Sequence, residues 1–388
     1  MKQYIAFAFA VLSLPVFAQS SANELSRLQQ VVDDVKSDYA LDKRQAYYDV
    51  KAFHNAEGAL TVKGTLSDSV TARVLRQELA NAGVDYIDSI TTFPYKMGQI
   101  RIPAASLRTG GRHAAEMSTQ AVLGTPIRIM QDDSDFYLVQ TPDGYIAWVP
   151  SSSVVAKSDD DIKAWKEAAR FIVSSPYQVR AYYTADDEGP RNVVTDLVNG
   201  CIVVAKNNSL VPVNGKLNIE LPDGRTGFID PAYLTPIEEW AAQDFDAKRI
   251  LDIAYSMEGT PYLWGGTSTK ALDCSGLAKV SYLANGIILM RDASQQALTG
   301  TRIEAKDWRQ CEAGDLLFFG NAKTGRVTHV AIYDKNGNYV HSSGRVKRNS
   351  VDPDSPDYLT TPFLHAVRIH GNEETPGIIR ARNHPWYF

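Results

Sequence analysis

The spacing of apolar and polar residues changes several times along the chain, which indicates more than one domain. Apolar residues recur at helical intervals over residues 25–32. Residues 59–92 then predict a strand, a helix over residues 69–82 that ends at Gly83, and a second strand. We therefore predict a small N-terminal α/β module and place it at residues 19–96.

Short alternating runs separated by turn residues fill the middle of the chain, and one motif among them occurs twice. The tripeptide Pro-Asp-Gly at residues 142–144 precedes an alternating strand, and the same tripeptide at residues 222–224 precedes another. A turn of this composition, followed by a strand with one large aromatic residue, is typical of a hairpin in a small β-barrel. The repeat predicts two barrels, which we place at residues 97–157 and 175–240.

Helical patterns lie on both sides of the second barrel. The acidic run that follows Ser158 is typical of a helix N-terminus, and the helical pattern extends to Phe171. We predict a helical connector at residues 158–174. A last boundary near Asp244 leaves residues 244–388, about 145 residues, which is enough for one catalytic domain. The predicted fold class is multidomain α+β.

The residues that carry chemistry begin with a cysteine in the last domain. A glycine-rich loop leads to Asp273, a good N-cap residue, and helical spacing follows until residues 285–286. Cys274 should therefore lie in the first turn of a helix. Backbone amides and the helix dipole at that end favour a thiolate, so we expect a lowered pKa and a nucleophilic role for Cys274. The alternative is a small apolar cysteine in a packed helix.

Two histidines on a predicted hairpin could activate that thiol. An alternating strand contains His329, a turn rich in Asn and Gly follows, and the return strand contains His341. A two-residue turn would place the histidines on opposite faces of the hairpin, whereas a three-residue loop at residues 336–338 would place them on the same face. Catalysis requires the three-residue loop. His329 would then serve as the base for Cys274, and His341 would orient it.

Composition and charge narrow the class of protein. The 388 residues include 40 Lys and Arg against 45 Asp and Glu, a net charge of −5, which argues against a nucleic-acid partner. Apolar residues make up 44% of the chain, so intrinsic disorder is excluded as its main state. The chain has three cysteines, so at least one thiol stays free. Cys201 and Cys311 have structural contexts, and whether they pair is open.

The N-terminus has the pattern of a secretory signal. A single positive charge precedes an apolar run, and small residues stand at the positions expected for cleavage after Ala18. The apolar run is shorter than the roughly 20 residues that a spanning helix needs. We therefore expect residues 1–18 to be a cleaved signal peptide. The mature protein would be secreted or periplasmic, with no membrane anchor.

Four motifs in the last domain, in this order and spacing, resemble the NlpC-like (p60-like) family of papain-fold cell-wall peptidases: YLWGG (262–266), DCSGL (273–277), AGDLLFF (313–319) and THVAIY (328–333). The resemblance implies a papain-like α+β peptidase domain. It implies hydrolysis of amide bonds in peptidoglycan stem peptides, between D-Glu and the following diamino acid. Cys274, His329 and His341 would form the triad, and the Cys274 amide and the Tyr262 hydroxyl would stabilise the oxyanion.

The whole architecture is similar to that of γ-D-glutamyl-L-diamino acid endopeptidases of murein recycling, in which two bacterial SH3-like domains precede the peptidase. In that group the first SH3-like domain closes one end of the cleft and binds the free ammonium of L-Ala. The matching residues would be Glu116 and Tyr145, with Asp273 as a second carboxylate. Carboxylates around a cation favour a free amine over an acylated one. Ser275 and Trp264 complete the substrate-binding residues that we predict.

Other functions remain open at this point. The same hydrolase could act on intact cross-linked peptidoglycan, with the SH3-like domains holding the wall. The chain could be a wall-binding protein with an inactive peptidase domain, although the presence of all three triad residues argues against this. One cysteine and two histidines could also bind zinc. The favoured interpretation is a thiol protease without metal or cofactor that acts on L-Ala-γ-D-Glu-diamino acid peptides.

Overall fold

A computed structural model of the chain describes residues 14–40 and 42–388. The predicted signal peptide lies mostly outside these residues, and the chain is helical from Leu14 onward. Within the described residues, no helix has both the length and the apolar composition that crossing a membrane requires. Contacts between residues group the chain into two compact units that divide after Pro94.

The first unit contains a three-stranded sheet and two helices. The sequence pattern predicts both helices and the last two strands, but it does not predict the first strand. Strand β1 is antiparallel to β2, and β2 is parallel to β3. Asp68 caps α2 by accepting a hydrogen bond from the Thr71 amide, and Gly83 follows the helix with a left-handed φ of 62°. The elements are α1 (Leu14–Tyr39), β1 (Tyr48–His54), β2 (Leu60–Leu66), α2 (Ser69–Asn81) and β3 (Ile87–Thr92).

The second unit begins with the first predicted barrel. Seven strands form one antiparallel sheet in the order β10-β4-β7-β8-β9-β5-β6. Its core contains Ile127, Val139 and Val149. The strands are β4 (Lys96–Ile100), β5 (Ala104–Arg108), β6 (Met117–Val122), β7 (Pro126–Asp133), β8 (Phe136–Gln140), β9 (Ile146–Pro150) and β10 (Val154–Lys157).

The connector helix is shorter than the sequence predicts. Helix α3 (Asp159–Glu167) begins with a capping box between Ser158 and Asp161, but it ends four residues before Phe171. The prediction of a helix to Phe171 is wrong because Arg170–Val173 forms strand β11, which pairs with a strand on each side. Val173 of β11 packs into the core of the second barrel, and Ile172 packs against Trp165, Trp240 and Ile288. These tertiary contacts override the helical pattern.

The second barrel has the same number of strands in its sheet as the first, in the order β13-β12-β16-β15-β14-β11-β17. The two Pro-Asp-Gly turns occupy equivalent hairpins, β8–β9 and β15–β16, and Gly144 and Gly224 have φ values of 82° and 81°. The remaining strands are β12 (Val179–Tyr182), β13 (Val193–Leu197), β14 (Ile202–Ala205), β15 (Leu217–Glu220), β16 (Thr226–Ile229) and β17 (Leu234–Pro236).

Each repeated turn uses its aspartate to join two domains. Asp143 pairs with Lys279 on a helix of the last domain, and both side chains are largely buried. Asp223 in the second barrel pairs with Arg101, which follows β4 in the first barrel, at 3.0 Å. The same turn therefore docks the first barrel on the catalytic domain and the second barrel on the first.

The last domain packs helices against one face of a six-stranded antiparallel sheet in the order β21-β26-β22-β23-β24-β25. Leu277 of α6 and Val330 of β23 belong to the core between them. The elements are α4 (Ile237–Ala242), α5 (Ala247–Ser256), β18 (Thr267–Ser268), β19 (Ala271–Leu272), α6 (Cys274–Leu283), β20 (Ile287–Leu289), α7 (Ala293–Gln296), β21 (Thr301–Glu304), β22 (Leu316–Gly320), β23 (Val327–Tyr333), β24 (Asn338–Ser343), β25 (Arg345–Ser350), β26 (Phe363–Arg368) and β27 (Ile378–Arg380).

The β23–β24 hairpin has a three-residue loop, but one residue earlier than predicted. Tyr333 pairs with Tyr339, and the Asp334 amide donates to the Asn338 carbonyl, so the loop spans residues 335–337 rather than 336–338. Asn336 and Gly337 both adopt left-handed φ values, 52° and 82°, which places them inside the loop. The number of loop residues is as predicted, so the two histidines lie on one face.

We predict that Lys279→Met destabilises the protein, because it leaves the buried Asp143 carboxylate without its cation. Breaking one partner of a buried pair costs about 3 kcal/mol or more. The thermal midpoint should therefore fall by roughly 5–10 °C. The matched control is Lys248→Met, which removes an exposed ion pair with Asp252 within one helix and should change the midpoint by about 1 °C or less. Equal shifts in the two variants would contradict the docking role of Asp143.

Candidate active site

Cys274 occupies the first position of α6, as predicted, and is almost completely buried. Hydrogen bonds from the backbone amides of Val330 and Ser275 reach its sulfur, so the thiol lies where α6 meets β23. Gly276 allows this close packing, since a Cβ there would lie 2.0 Å from the carbonyl oxygen of Gly266. The first turn of α6, which contains Cys274, therefore packs between the glycine-rich loop and the strand that contains His329.

The direction of the Cys274 pKa shift differs from the prediction. Burial raises the pKa of Cys274 to about 11, and the negative charge of Asp273 adds to the increase. The backbone hydrogen bonds and the positive charge of Arg291 favour the thiolate but do not outweigh desolvation. The expected lowering at the helix N-terminus is therefore wrong, because the argument from the helix end omitted burial and the adjacent carboxylate. The resting nucleophile is a neutral thiol.

A chain of hydrogen bonds fixes the proton positions on the two histidines. The Asn349 side-chain nitrogen donates to the Asp357 carbonyl at 3.0 Å, which turns its Oδ1 toward His341. His341 Nε2 must donate to that oxygen, at 2.9 Å, so His341 Nδ1 accepts from His329 Nε2 at 2.7 Å. His329 Nδ1 consequently keeps its lone pair and is the nitrogen available as a base for Cys274.

Both imidazoles are neutral at rest. Burial, with smaller contributions from the charges of His341 and Lys347, lowers the pKa of His329 to about 3. Burial also lowers the pKa of His341 to about 4, and the positive charge of Lys347 acts in the same direction. The hydrogen bond to Asn349 acts in the opposite direction but does not outweigh burial. The thiol and both imidazoles are therefore neutral at rest, so a reaction between them would move the proton when the sulfur attacks.

Arg291, which the sequence analysis did not assign to the site, holds this region together. Its guanidinium is 1% exposed and donates to Asp273 Oδ2 at 2.6 Å, to Ser275 Oγ at 2.8 Å and to Thr119 Oγ1 at 2.8 Å. Thr119 belongs to β6 of the first barrel. The buried guanidinium of Arg291 thus connects the start of α6 to the first barrel.

Asp273 and Ser275 have positioning roles in this arrangement. The two oxygens of Asp273 accept from the Gly265 and Gly276 amides, at 2.9 and 2.7 Å, and from Arg291. Asp273 is 5% exposed and Ser275 is 4% exposed. Arg291 already pairs with Asp273 inside the protein, and the contact of Asp273 with a substrate ammonium stays a prediction.

The loop before Cys274 carries Tyr262 and Trp264. Burial raises the pKa of Tyr262 to about 12, and the charges of Cys274 and Asp273 contribute, so its phenol lies within their electrostatic reach and stays protonated. A protonated phenol there can donate to a developing oxyanion. Trp264 is 61% exposed on the same loop and presents an apolar surface to solvent.

Glu116 and Tyr145 belong to the first barrel, which packs against this loop. Glu116 is exposed and immediately precedes Met117, whose carbonyl oxygen would lie 2.7 Å from a Cβ at Gly265. Tyr145 is mostly buried, and its charge would act on Arg291. Tyr145 thus lies within electrostatic reach of Arg291, and Glu116 is the neighbour of a residue that packs against the loop.

Hydrogen bonds fix the first barrel against the catalytic domain. The Thr267 amide donates to Gln120 Oε1 at 3.0 Å, and the Gln120 amide donates to Thr267 Oγ1 at 2.9 Å. In the second barrel, Arg225 stands where the first has Tyr145, and it binds Asp223 and the Arg101 carbonyl instead. The residue that matches Tyr145 in the second barrel therefore contacts the first barrel.

All three cysteines are free and buried, so Cys201 and Cys311 do not pair. In the part of the chain that the structure describes, no cluster of three or more His, Cys, Asp or Glu side chains is arranged to hold a metal ion.

We predict that alkylation of Cys274 by iodoacetamide accelerates with pH up to values above 9, because burial and Asp273 hold its pKa near 11. The rate at each cysteine can be measured by mass spectrometry of the modified peptides. Cys201 is fully buried and provides the internal control, with little modification across the range. A Cys274 rate that is already constant at pH 7 would show a preformed thiolate and contradict the neutral pair.

We predict that Asn349→Ala lowers kcat for peptide hydrolysis about tenfold, because His341 loses the acceptor that sets its tautomer. Asn349→Asp should instead stabilise protonated imidazoles and raise their pKa values. The base must be neutral to act, so the acid limb of kcat/KM should move to higher pH in Asn349→Asp. An unchanged kcat in the alanine variant, with an unchanged pH profile in the aspartate variant, would contradict the relay.

Two families of sequences match this chain. Residues 259–368 match the NlpC/P60 family, and residues 107–154 match the bacterial dipeptidyl-peptidase Sh3 domain. The predicted family resemblance is thereby confirmed, and the two matches cover the catalytic domain and the first barrel.

Individual relatives agree with these matches. The chain is 38% identical over 121 residues to the probable endopeptidase NlpC of Escherichia coli, which covers 30% of this chain and 75% of that protein. It is 25% identical over 261 residues to a γ-D-glutamyl-L-lysine dipeptidyl-peptidase of Bacillus cereus, which covers 64% of this chain and 74% of that protein.

The fold agrees with a solved structure as well. The crystal structure of an NlpC/P60 family protein from Bacillus cereus superposes with a TM-score of 0.59 at 20% identity, over 70% of this chain and 99% of that one. This likeness supports the multidomain α+β fold with a papain-like last domain. The chain therefore belongs to the NlpC/P60 family of peptidoglycan hydrolases and is a peptidase of that family.

Proposed function

We propose that the protein is an exported cysteine endopeptidase that hydrolyses the amide bond between γ-D-Glu and the diamino acid in murein stem peptides with a free L-Ala. The observation that carries the proposal is the first barrel, which hydrogen-bonds to Thr267 and packs against Gly265 through Met117, the residue after Glu116. The name of the Bacillus cereus relative, a γ-D-glutamyl-L-lysine dipeptidyl-peptidase, supports the same bond. The secretory pattern of residues 1–18 supports export.

The geometry of the site can carry out this hydrolysis as acyl transfer. His329 Nδ1 takes the thiol proton while the Cys274 sulfur attacks the γ-carbonyl carbon of D-Glu. The Cys274 backbone amide and the Tyr262 hydroxyl stabilise the oxyanion. The imidazolium then gives its proton to the leaving amine of the diamino acid as the C–N bond breaks. Water, deprotonated by His329, attacks the thioester and releases the free γ-carboxyl group and the Cys274 thiol.

Because the site is neutral at rest, the hydrogen bonds of the protein must stabilise the charges that form during the reaction. Attack creates a positive imidazole pair and a negative oxyanion where there was no charge before, and both form in a buried site of low dielectric. His341 spreads the new positive charge along the hydrogen bond to Asn349. Tyr262, with its pKa raised to about 12, stays a donor throughout the reaction.

Specificity for a free amino group would come from the wall that the first barrel provides. Glu116 offers an exposed carboxylate next to the catalytic loop, and Tyr145 lies close enough to influence Arg291. A carboxylate that binds an ammonium loses its partner when the amine is acylated, and the acyl group needs space that a closed cleft lacks. Asp273 would be the second carboxylate, held in position by its ion pair with Arg291.

A second candidate function is cleavage of intact cross-linked peptidoglycan. Exposed side chains on the second barrel favour it: Tyr177 is 68% exposed, Tyr183 is 59% exposed and Val211 is 73% exposed. Aromatic faces of this kind can pack against sugar rings. In that case the barrels would hold the wall, and the free amino group of L-Ala would not matter.

We predict that the protein cleaves L-Ala-γ-D-Glu-diaminopimelate with a kcat/KM about a hundredfold higher than that for its N-acetylmuramyl form, because Glu116 rewards the free ammonium. Product masses identify the bond that is cut. Glu116→Gln should reduce the difference in kcat/KM between the two peptides, while the bond that is cut stays the same. The matched control is Glu239→Gln on α4, an exposed glutamate outside the first barrel, which should keep the full difference.

Further arms separate the alternatives. Cys274→Ala should abolish cleavage, whereas a metal chelator should leave it intact if no zinc takes part. Equal turnover of the free and muramyl peptides would contradict the amine-gated function and favour action on intact peptidoglycan. Loss of activity on chelation would favour the zinc alternative, and absence of any cleavage would favour a purely wall-binding role.

A further inference from the structure

Strand β25 presents two cationic side chains on the face that the catalytic histidines share. Side chains alternate along a strand, so Arg345, Lys347 and Asn349 point to one face, while Val346 points into the core on the other. Asn349 is the residue that accepts from His341. Arg345 and Lys347 therefore precede the end of the catalytic relay on its own side of the sheet.

Lys347 lies directly beside that relay. It is the cross-strand partner of His341 in the antiparallel β24–β25 register, and opposite side chains in such a pair are about 5 Å apart at Cβ. The positive charge of Lys347 lowers the pKa of both His329 and His341. Proximity to the reacting groups thus follows from the register and is supported by the electrostatics.

Neither cation is neutralised within the described residues. Arg291 and Asp273 pair with each other at this site, whereas the described part of the chain gives Arg345 and Lys347 no ion pair and no side-chain hydrogen bond. The Lys347 ammonium repels the imidazolium that forms during catalysis and so makes that protonated state less favourable. An anion on the substrate would offset this cost.

The position of these cations identifies the part of the substrate they would meet. The segment before Cys274 is bridged to Arg345 at Pro261, and the Tyr262 amide donates to the Gly344 carbonyl at 3.0 Å. The first barrel meets the same segment farther along, from Gly265 onward. A peptide whose L-Ala end lies at the barrel would extend past Tyr262 toward β25 with the residue that follows the scissile bond.

We propose that Arg345 and Lys347 form a carboxylate-binding subsite for the diamino acid, and that this subsite favours diaminopimelate over lysine. Diaminopimelate ends in a carboxylate beside its distal ammonium, whereas lysine ends in an ammonium alone, which Lys347 repels. This inference rests on the proposed function and specifies the diamino acid of the substrate, which the proposed function does not. A carboxylate at this place could also be the main-chain α-carboxylate of a tripeptide, and the two sources require separate tests.

The experiment compares four peptides that begin with L-Ala-γ-D-Glu. The third residue is meso-diaminopimelate or L-Lys, and each peptide is made with and without a following D-Ala, which removes the third residue's α-carboxylate. The wild-type protein should prefer diaminopimelate about tenfold in kcat/KM, with or without D-Ala. Lys347→Met should bring this ratio close to one, and Lys347→Arg, which keeps the charge, should retain it.

A matched control separates binding from a general effect on the histidines. Lys335→Met removes an exposed charge from the β23–β24 loop of the same sheet and should leave the ratio unchanged. Lys347→Met should also raise the pKa values of His329 and His341, which moves the acid limb of kcat/KM upward for every peptide. The ratio between peptides at one pH is independent of that shift and reports on the subsite.

Each outcome has a distinct meaning. Equal loss on all four peptides in Lys347→Met would show that Lys347 only tunes the histidines and would overturn the subsite. A loss confined to peptides without D-Ala would keep a carboxylate subsite but overturn its selection of diaminopimelate. Cleavage of none of the four peptides by the wild-type protein would overturn the proposed function itself, which distinguishes that failure from a failure of the subsite.

Discussion

The buried ion pair between Arg291 and Asp273 is the interaction on which the rest of the site depends. Asp273 caps α6, accepts from the glycine-rich loop and compensates the guanidinium, all with one carboxylate. Arg291 reaches in the other direction to Thr119 of the first barrel. Loss of either charge would leave the other buried without a partner, at a cost of roughly 3–5 kcal/mol. The position of the nucleophile and the docking of the barrel are therefore coupled through one guanidinium.

This coupling explains why a carboxylate so close to the nucleophile is tolerated. An isolated Asp273 would raise the pKa of Cys274 still more, whereas Arg291 supplies the opposing charge. Arginine suits this task because its planar group serves several acceptors at fixed angles, which a lysine ammonium could not do in the same space. Arg291 and Asp273 thus match each other's charge inside the protein, whereas the cations on β25 have no ion-pair partner within the described residues.

Local features of the site could be predicted from the sequence, whereas features that depend on distant contacts could not. Cys274 at a helix start and the two histidines on one hairpin follow from spacing over a few residues, as do the paired Pro-Asp-Gly turns. Asn349 and Arg291 were missed because their roles depend on strand register and on packing between domains. The connector helix ends early for the same reason, since β11 gains its partners from residues far along the chain. The sign of the Cys274 pKa shift depends on burial, which the sequence pattern does not give.

The two Pro-Asp-Gly turns suggest how such a chain could acquire its architecture. A duplicated barrel would carry its own attachment device, because the buried aspartate travels with the hairpin that encodes it. The complementary cation, in contrast, comes from outside the copied hairpin: Lys279 from the catalytic helix for one copy, Arg101 from the neighbouring barrel for the other. A duplicate could thus attach wherever a basic residue arose on an adjoining surface. Tyr145 and Arg225, at matching places after the two turns, would then be free to diverge, one toward the cleft and the other toward the joint between barrels.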